Sequence, residues 1–169
     1  MRAAAMLRKQ IPKLCATDLL EAFGSCRVCL VQIEGIRGFP ASCTTPVAEG
    51  MQVVTRGEGL DALRLAVLEL YLSDHPPDAS KAVRGLRSEL ESVAEAVGVR
   101  EVRYGFAAAN HVQPVLAGGD ANPLYRAPDD SNPYFRFDPA ACIVCSRCVR
   151  ACDERQGTLA LAIQGRGFD

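Results

Sequence analysis

Gly24-Ser25-Cys26-Arg27-Val28-Cys29-Leu30-Val31-Gln32-Ile33-Glu34 is the stretch on which the fold of this chain turns. A C-x2-C pair sits among small residues and runs straight into alternating β-type residues, so a thiolate site and a strand share one segment. Two outlying cysteines flank the pair and give Cys15-x10-Cys26-x2-Cys29-x13-Cys43. This pattern keeps the central C-x2-C of plant-type [2Fe–2S] sites with a longer first loop. The other four of the eight cysteines, Cys142, Cys145, Cys148 and Cys152, form a C-x2-C-x2-C-x3-C run. Such a run lets one tight loop present three sulfurs to a face of a [4Fe–4S] cubane. Gly24, Ser25 and Ala41 suit a loop whose backbone N–H groups point at cluster sulfur. Arg27 either eases the addition of an electron or is solvated at the loop mouth. Arg147 and Arg150 either balance cluster charge or face solvent, and the sequence favours solvent.

Composition narrows the class. The chain has 169 residues, 49% of them apolar, and a formal net charge of −1. That balance points to neither nucleic acid nor an anionic membrane surface. Secreted disulfide scaffolds spread their cysteines along the chain, whereas two sets at the two ends suggest metal in a reducing compartment, with the cytoplasm as the expected location. Residues 1–10 lack the apolar core of a secretory signal. The longest apolar stretch, residues 60–72, is interrupted by Asp61, Arg64 and Glu69 and reads as an amphipathic helix, so no direct membrane insertion is expected.

Periodicity places the elements. A helix is expected over residues 1–10, closed by Pro12, then a helical turn at best over 17–21. Strands are expected over 28–34 and 51–55. From residue 58 the period becomes helical, with Leu60, Leu63, Val67, Leu70 and Tyr71 on one stripe, until His75-Pro76-Pro77. A second helix from about residue 79 carries Val83, Leu86, Leu90, Val93 and Val97 inward and stops at Gly98, forming a hairpin with the first. The proline-rich stretch 105–139 reads as an extended connector, 146–151 as one or two helical turns, and 158–164 as a strand.

The stretch from Gly24 to Glu34, followed by Ala41-Ser42-Cys43-Thr44-Thr45-Pro46-Val47 and Gly50-Met51, resembles the ferredoxin-like domain that opens the large subunits of respiratory complex I, iron-only hydrogenases and NAD-dependent formate dehydrogenases. Phe135-Arg136-Phe137-Asp138-Pro139, the second cysteine run and Asp153-Glu154-Arg155-Gln156-Gly157 are similar to formate dehydrogenase alpha subunits. The resemblance implies an α+β chain: a [2Fe–2S] ferredoxin-like (β-grasp) domain over 1–57, truncated by the loss of its N-terminal hairpin, and a helical segment over 58–100. An extended linker over 101–136 and half of a bacterial-type [4Fe–4S] ferredoxin segment over 137–169 follow. It implies [2Fe–2S] ligation by Cys15, Cys26, Cys29 and Cys43, and [4Fe–4S] ligation by Cys142, Cys145, Cys148 and Cys152. Cys152 either completes a single site or serves a neighbouring cluster. In these families a further cluster is held by one histidine and three cysteines; here His75 is kept while the cysteine positions fall on Ala79, Ala82 and Ser88, so His75 is expected as a surface or helix-capping residue.

The function implied is an electron-transfer module relaying electrons between a molybdenum- or tungsten-pterin domain or subunit and a NADH-diaphorase-type partner, not catalytic alone. Two other readings stand beside it: a structural zinc protein pairing Cys26 and Cys29 with Cys142 and Cys145, and a gene fragment with no independent role. His111 has no cysteine or carboxylate cluster beside it. Gly165-x-Gly167 is too short for a dinucleotide fingerprint.

Overall fold

The structure is a computed structural model and describes residues 1–75, 88–105, 118–121, 125 and 127–164. Residues 79, 82, 83, 86, 111, 165 and 167, together with part of the expected connector, lie outside the described residues.

Helix α1 (Arg2–Met6) is shorter than the composition suggests, and Arg8 leaves it in the left-handed region at φ 55°. The expected turn over 17–21 stays non-helical. Strands β1 (Gln32–Ile33) and β2 (Val53–Val54) pair antiparallel with Ile33 opposite Val53. Both are shorter than their β-type runs. The residues before β1 are used differently: Leu30 bridges Ala41, the Val31 N–H donates to the Pro40 carbonyl at 3.0 Å, and the Ser42 N–H donates to the Cys29 carbonyl at 3.0 Å. Ladder hydrogen bonds that would have lengthened a sheet instead close the loop between Cys29 and Cys43.

Helix α2 (Glu58–Asp74) starts with Glu58 and Asp61 in its first turn, where carboxylates meet the positive end of the helix dipole. It stops at His75 because Pro76 disfavours helical geometry in the residue before it. Its inward seam differs from the expected stripe. Leu60, Arg64 and Leu68 are buried at i, i+4 and i+8, with Val67 and Tyr71 beside them, while Leu63 and Leu70 are 41% and 55% exposed. Apolar side chains outnumber inward positions on this helix, and an arginine takes one of those positions.

Helix α3 (Glu89–Val97) begins at a full capping box: the Ser88 hydroxyl accepts from the Glu91 N–H at 3.1 Å and the Glu91 carboxylate accepts from the Ser88 N–H at 2.9 Å. Gly98, at φ 97°, closes it in the left-handed conformation that favours glycine. Leu90 and Ala94 face inward, and α2 and α3 pack together as a hairpin.

Helix α4 (Arg147–Gln156) is longer than its expected turns and ends at Gly157. Before it, Asp129 and Phe137 exchange both backbone hydrogen bonds, and a 3-10 turn over Pro139–Ala141 delivers Cys142. Residues 158–164 form no strand; Leu159, Leu161 and Ile163 are exposed, and alternation alone does not order a strand that has no partner edge.

One core unites these pieces. Leu14, Cys15, Cys26, Val28, Leu68 and Leu90 are buried together, with Tyr71, Val93, Val97, Ile143 and Cys145 packed against them. No helix among the described residues is long and apolar enough to cross a membrane.

Candidate metal centre

All eight cysteines are free thiols, and the first four come together in two pairs. Cys15 and Cys26 are joined by the Cys26 N–H, which donates to the Cys15 sulfur at 3.5 Å. Cys29 and Cys43 meet side chain to side chain, brought together by the antiparallel pairing of residues 29–31 with 40–42; the Ser42 hydroxyl adds a 2.8 Å bond to the Cys29 carbonyl. Cys15, Cys26 and Cys29 are buried and Cys43 is half-buried. A [2Fe–2S] cluster takes two thiolates per iron, and two adjacent pairs in one apolar pocket are the donor set it needs.

The thiols differ in ease of ionisation. Burial pushes Cys15 up, but hydrogen bonds from Cys26 and Ser25 outweigh it and leave Cys15 below the ordinary thiol value. Cys26 is raised, mainly by burial. Cys43 is pushed up to about 12 by burial and by the neighbouring charges of Cys29, Cys15 and Cys26. Burial and like charge thus disfavour the Cys26 and Cys43 thiolates, and a bound cation would offset that cost.

Local backbone explains the loop. Gly24 sits at φ +74°, and a Cβ there would meet Thr44 Cγ2 at 3.4 Å and Ala41 Cβ at 3.5 Å. Those are ordinary contacts, so it is the left-handed backbone at Gly24 rather than crowding that favours glycine there. Arg27 lies at φ 55° and is exposed, donating only to the Phe39 carbonyl at 3.4 Å, so its solvated reading holds.

The second set occupies a turn, with Cys142 and Cys145, and the first two turns of α4, with Cys148 and Cys152. Cys142 and Cys145 are half-buried, Cys148 is exposed and Cys152 half-buried. Burial raises the Cys142 thiol. Val144 and Ser146 flank Cys145 with φ of 52° and 59°. A β-branched residue in that region costs about 1–2 kcal/mol, so the turn holds its shape against its own preference. His75 caps α2, its Nδ1 2.8 Å from the Tyr71 carbonyl and its Nε2 2.6 Å from the Cys142 carbonyl. It braces the turn through backbone, in line with the capping role expected of it.

The solvent reading of Arg147 and Arg150 is overturned. Their side chains are 30% and 12% exposed. Arg147 donates to the Leu14 carbonyl and pairs with Glu89, while Arg150 donates to the Cys15 carbonyl at 2.7 Å and to the Glu21 carbonyl and lies 4.7 Å over the Phe23 ring. Glu154 accepts from the Glu21 N–H at 2.7 Å. Helix α4 therefore grips the loop leading from Cys15 to Cys26. Sequence spacing put these arginines beside cysteines but could not show that residues some 130 positions earlier would offer them carbonyls.

The two sets share a wall. Cys145 packs on the core that holds Cys15 and Cys26. Tyr71 stands in that wall: burial, then the charges of Cys26, Cys15 and Cys145, pushes its phenol up to about 12, so it stays protonated at neutral pH. Among the described residues no three His, Cys, Asp or Glu side chains gather as a single-ion site. A cluster does not require one, because it spreads its thiolates over several irons.

Comparison with known proteins gives the class first. Residues 1–58 match the family described as 2Fe-2S iron-sulfur cluster binding domain. The chain is also similar, at 32% identity over nearly all its length, to an NADH-quinone oxidoreductase subunit of Rhizobium meliloti and to the NADPH-Fe(3+) oxidoreductase subunit alpha of Geobacter sulfurreducens. It spans only 18% of the length of either. It is 36% identical to NADP-reducing hydrogenase subunit HndD of Solidesulfovibrio fructosivorans, of which it covers 27%. Among solved structures, one chain of an NAD+-reducing [NiFe]-hydrogenase in the H2-reduced state aligns with a TM-score of 0.75 and 31% identity, over 99% of this chain and 64% of that one.

Proposed function

We propose that this chain is an iron–sulfur electron-transfer module of a multi-subunit oxidoreductase that uses a nicotinamide nucleotide. Cys15, Cys26, Cys29 and Cys43 hold a [2Fe–2S] cluster, and Cys142, Cys145, Cys148 and Cys152 supply a [4Fe–4S]-type site. The observation that carries the reading is the meeting of Cys15 with Cys26 and of Cys29 with Cys43 in one buried pocket. The relatives are named as subunits of NADH-, NADPH- or hydrogen-linked enzymes, which supports redox partner subunits for this chain. The finer reading is a formate dehydrogenase-type relay between a molybdopterin domain or subunit and a diaphorase partner in the cytoplasm. It rests on the likeness of residues 135–157 to formate dehydrogenase alpha subunits, with a [2Fe–2S] domain over 1–57, a helical segment over 58–100, a linker over 101–136 and a [4Fe–4S] segment over 137–169.

When bound, a cluster takes up and gives back one electron. The residues here do the rest. The Cys26 N–H donates to thiolate sulfur, the apolar core around Leu14, Val28 and Leu68 excludes water, and α4 fixes the Cys15 loop against the second site. Tyr71 and Cys145 pack against the core that holds Cys15 and Cys26 and would line the path between the two sites were both loaded.

Anaerobic reconstitution with iron and sulfide tests this. The protein is expected to turn brown with bound iron and acid-labile sulfide, and Cys29→Ser is expected to remove the [2Fe–2S] signal while leaving that of the second site. A colourless protein with stoichiometric zinc overturns it.

A further inference from the structure

Arg64 is the largest fully buried side chain among the described residues, at 1% exposure. It reaches from the inward seam of α2 to the Leu30 carbonyl, one residue beyond Cys29, and donates to the Thr55 carbonyl at 2.8 Å. Its acidic partner is Asp61 at 3.2 Å, a carboxylate whose side chain is 32% exposed. The Nε of Arg64 is buried without a hydrogen-bond partner. Burial works against its charge more than Asp61 supports it, and the charge of Cys29 adds a favourable contribution. A guanidinium out of water is costly unless anions surround it, and a single half-wet carboxylate is weak compensation. The neighbouring pocket is where negative charge belongs: two ferric ions, two sulfides and four thiolates sum to a dianion, and one added electron makes a trianion.

We propose that Arg64 is the fixed internal cation of the first cluster site, a positioning residue that raises the cluster's reduction potential by stabilising the extra negative charge of the reduced state. The step is a single electron entering the cluster from a reductant such as dithionite; no bond forms or breaks, and the guanidinium keeps its proton. The inference rests on the [2Fe–2S] reading of Cys15, Cys26, Cys29 and Cys43. Arg27 does not fill the role, because it is exposed and its charge is screened by water.

The test is an EPR-monitored redox titration of the reconstituted full chain, with iron and sulfide counted in every sample. Arg64→Met is expected to lower the reduced-to-oxidised ratio at the wild-type midpoint at least tenfold, which is 59 mV for one electron. Asp61→Asn takes the counter-charge from the same cation and is expected to raise that ratio at least twofold. Arg64→Lys, which keeps the charge, is expected to stay within twofold of the wild-type ratio, whereas a merely structural role would make the Lys and Met variants behave alike. Should Arg64→Met fail to fold, Arg64→Gln, which removes the charge and keeps hydrogen-bonding groups, takes its place beside Arg64→Lys. Unmoved potentials, or an Asp61→Asn shift in the negative direction, overturn the assignment while leaving the cluster reading intact. A wild-type protein without iron and sulfide overturns the cluster reading itself.

Discussion

Replacing Arg150 with alanine removes the strongest tie between α4 and the loop of the first site. The guanidinium donates to the Cys15 carbonyl at 2.7 Å and to the Glu21 carbonyl, and stacks at 4.7 Å on Phe23, with its side chain 12% exposed. Hydrogen bonds from a charged donor contribute about 1.5–3 kcal/mol each, and a cation over an aromatic ring about 0.5–1 kcal/mol. The Glu154 pair at 3.9 Å adds little. Water can reach the freed carbonyls once the side chain is gone, so the parts do not sum, and the net loss is about 3 kcal/mol. That is roughly a hundredfold shift toward undocking of α4. Amide hydrogen exchange reads it directly, because the Glu21 N–H is protected by the Glu154 carboxylate on α4. Exchange at Glu21 is expected to accelerate by about two orders of magnitude in Arg150→Ala, with a smaller rise in α4 itself. Adding Phe23→Ala to that background is expected to cost less than Phe23→Ala alone by about 0.5–1 kcal/mol, the coupling of the pair. Exchange at Glu21 that stays within threefold of wild type would refute the reasoning, since the grip of α4 would then contribute nothing to the loop.

Three further outcomes follow from the packing. Leu68→Ala empties a fully buried position between α2 and the cysteine core and is expected to lower stability by about 3 kcal/mol, measured by urea denaturation. Gly24→Ala places a Cβ 3.4 Å from Thr44 at φ +74°; a loss of about 1–2 kcal/mol and a reduced iron content after reconstitution are expected, with the second site's spectrum retained. Ser88→Ala breaks the capping box of α3 and is expected to cost about 1 kcal/mol in the same denaturation assay without altering either cluster signal.

Much of the site was legible because thiolate chemistry is written in spacing. The C-x2-C of Cys26 and Cys29, its outlying partners and the small residues at Gly24 and Ala41 pointed to the pocket that the fold assembles. The stop at Gly98 is a local signal as well, but the helix expected to run unbroken from near residue 79 is corrected: α3 begins at Ser88, whose extended backbone and capping box the expected helix ran through. What escaped the sequence is long-range. Arg64 looked like an interruption of an apolar stripe, although its place four residues after Leu60 and four before Leu68 put it on the seam; what made the position tolerable was the Leu30 carbonyl, 34 residues away. Arg147 and Arg150 read as solvated because their carbonyl partners belong to the far end of the chain. The strand expected over 158–164 had the right alternation but pairs with no other strand among the described residues.

The sharing of one interior by Leu14, Cys15, Val28, Leu68 and Leu90 bears on modularity. The recognisable domain stops at residue 58, yet the floor beneath its cysteines is laid by α2 and α3, and its first loop is fastened from α4. The segment that can be recognised by sequence is therefore smaller than the segment that can stand. A transplant of residues 1–58 into another scaffold would carry every thiol of the first set and leave behind the greasy underside and the guanidinium clasps, so an engineer borrowing this centre must take the helices along with it.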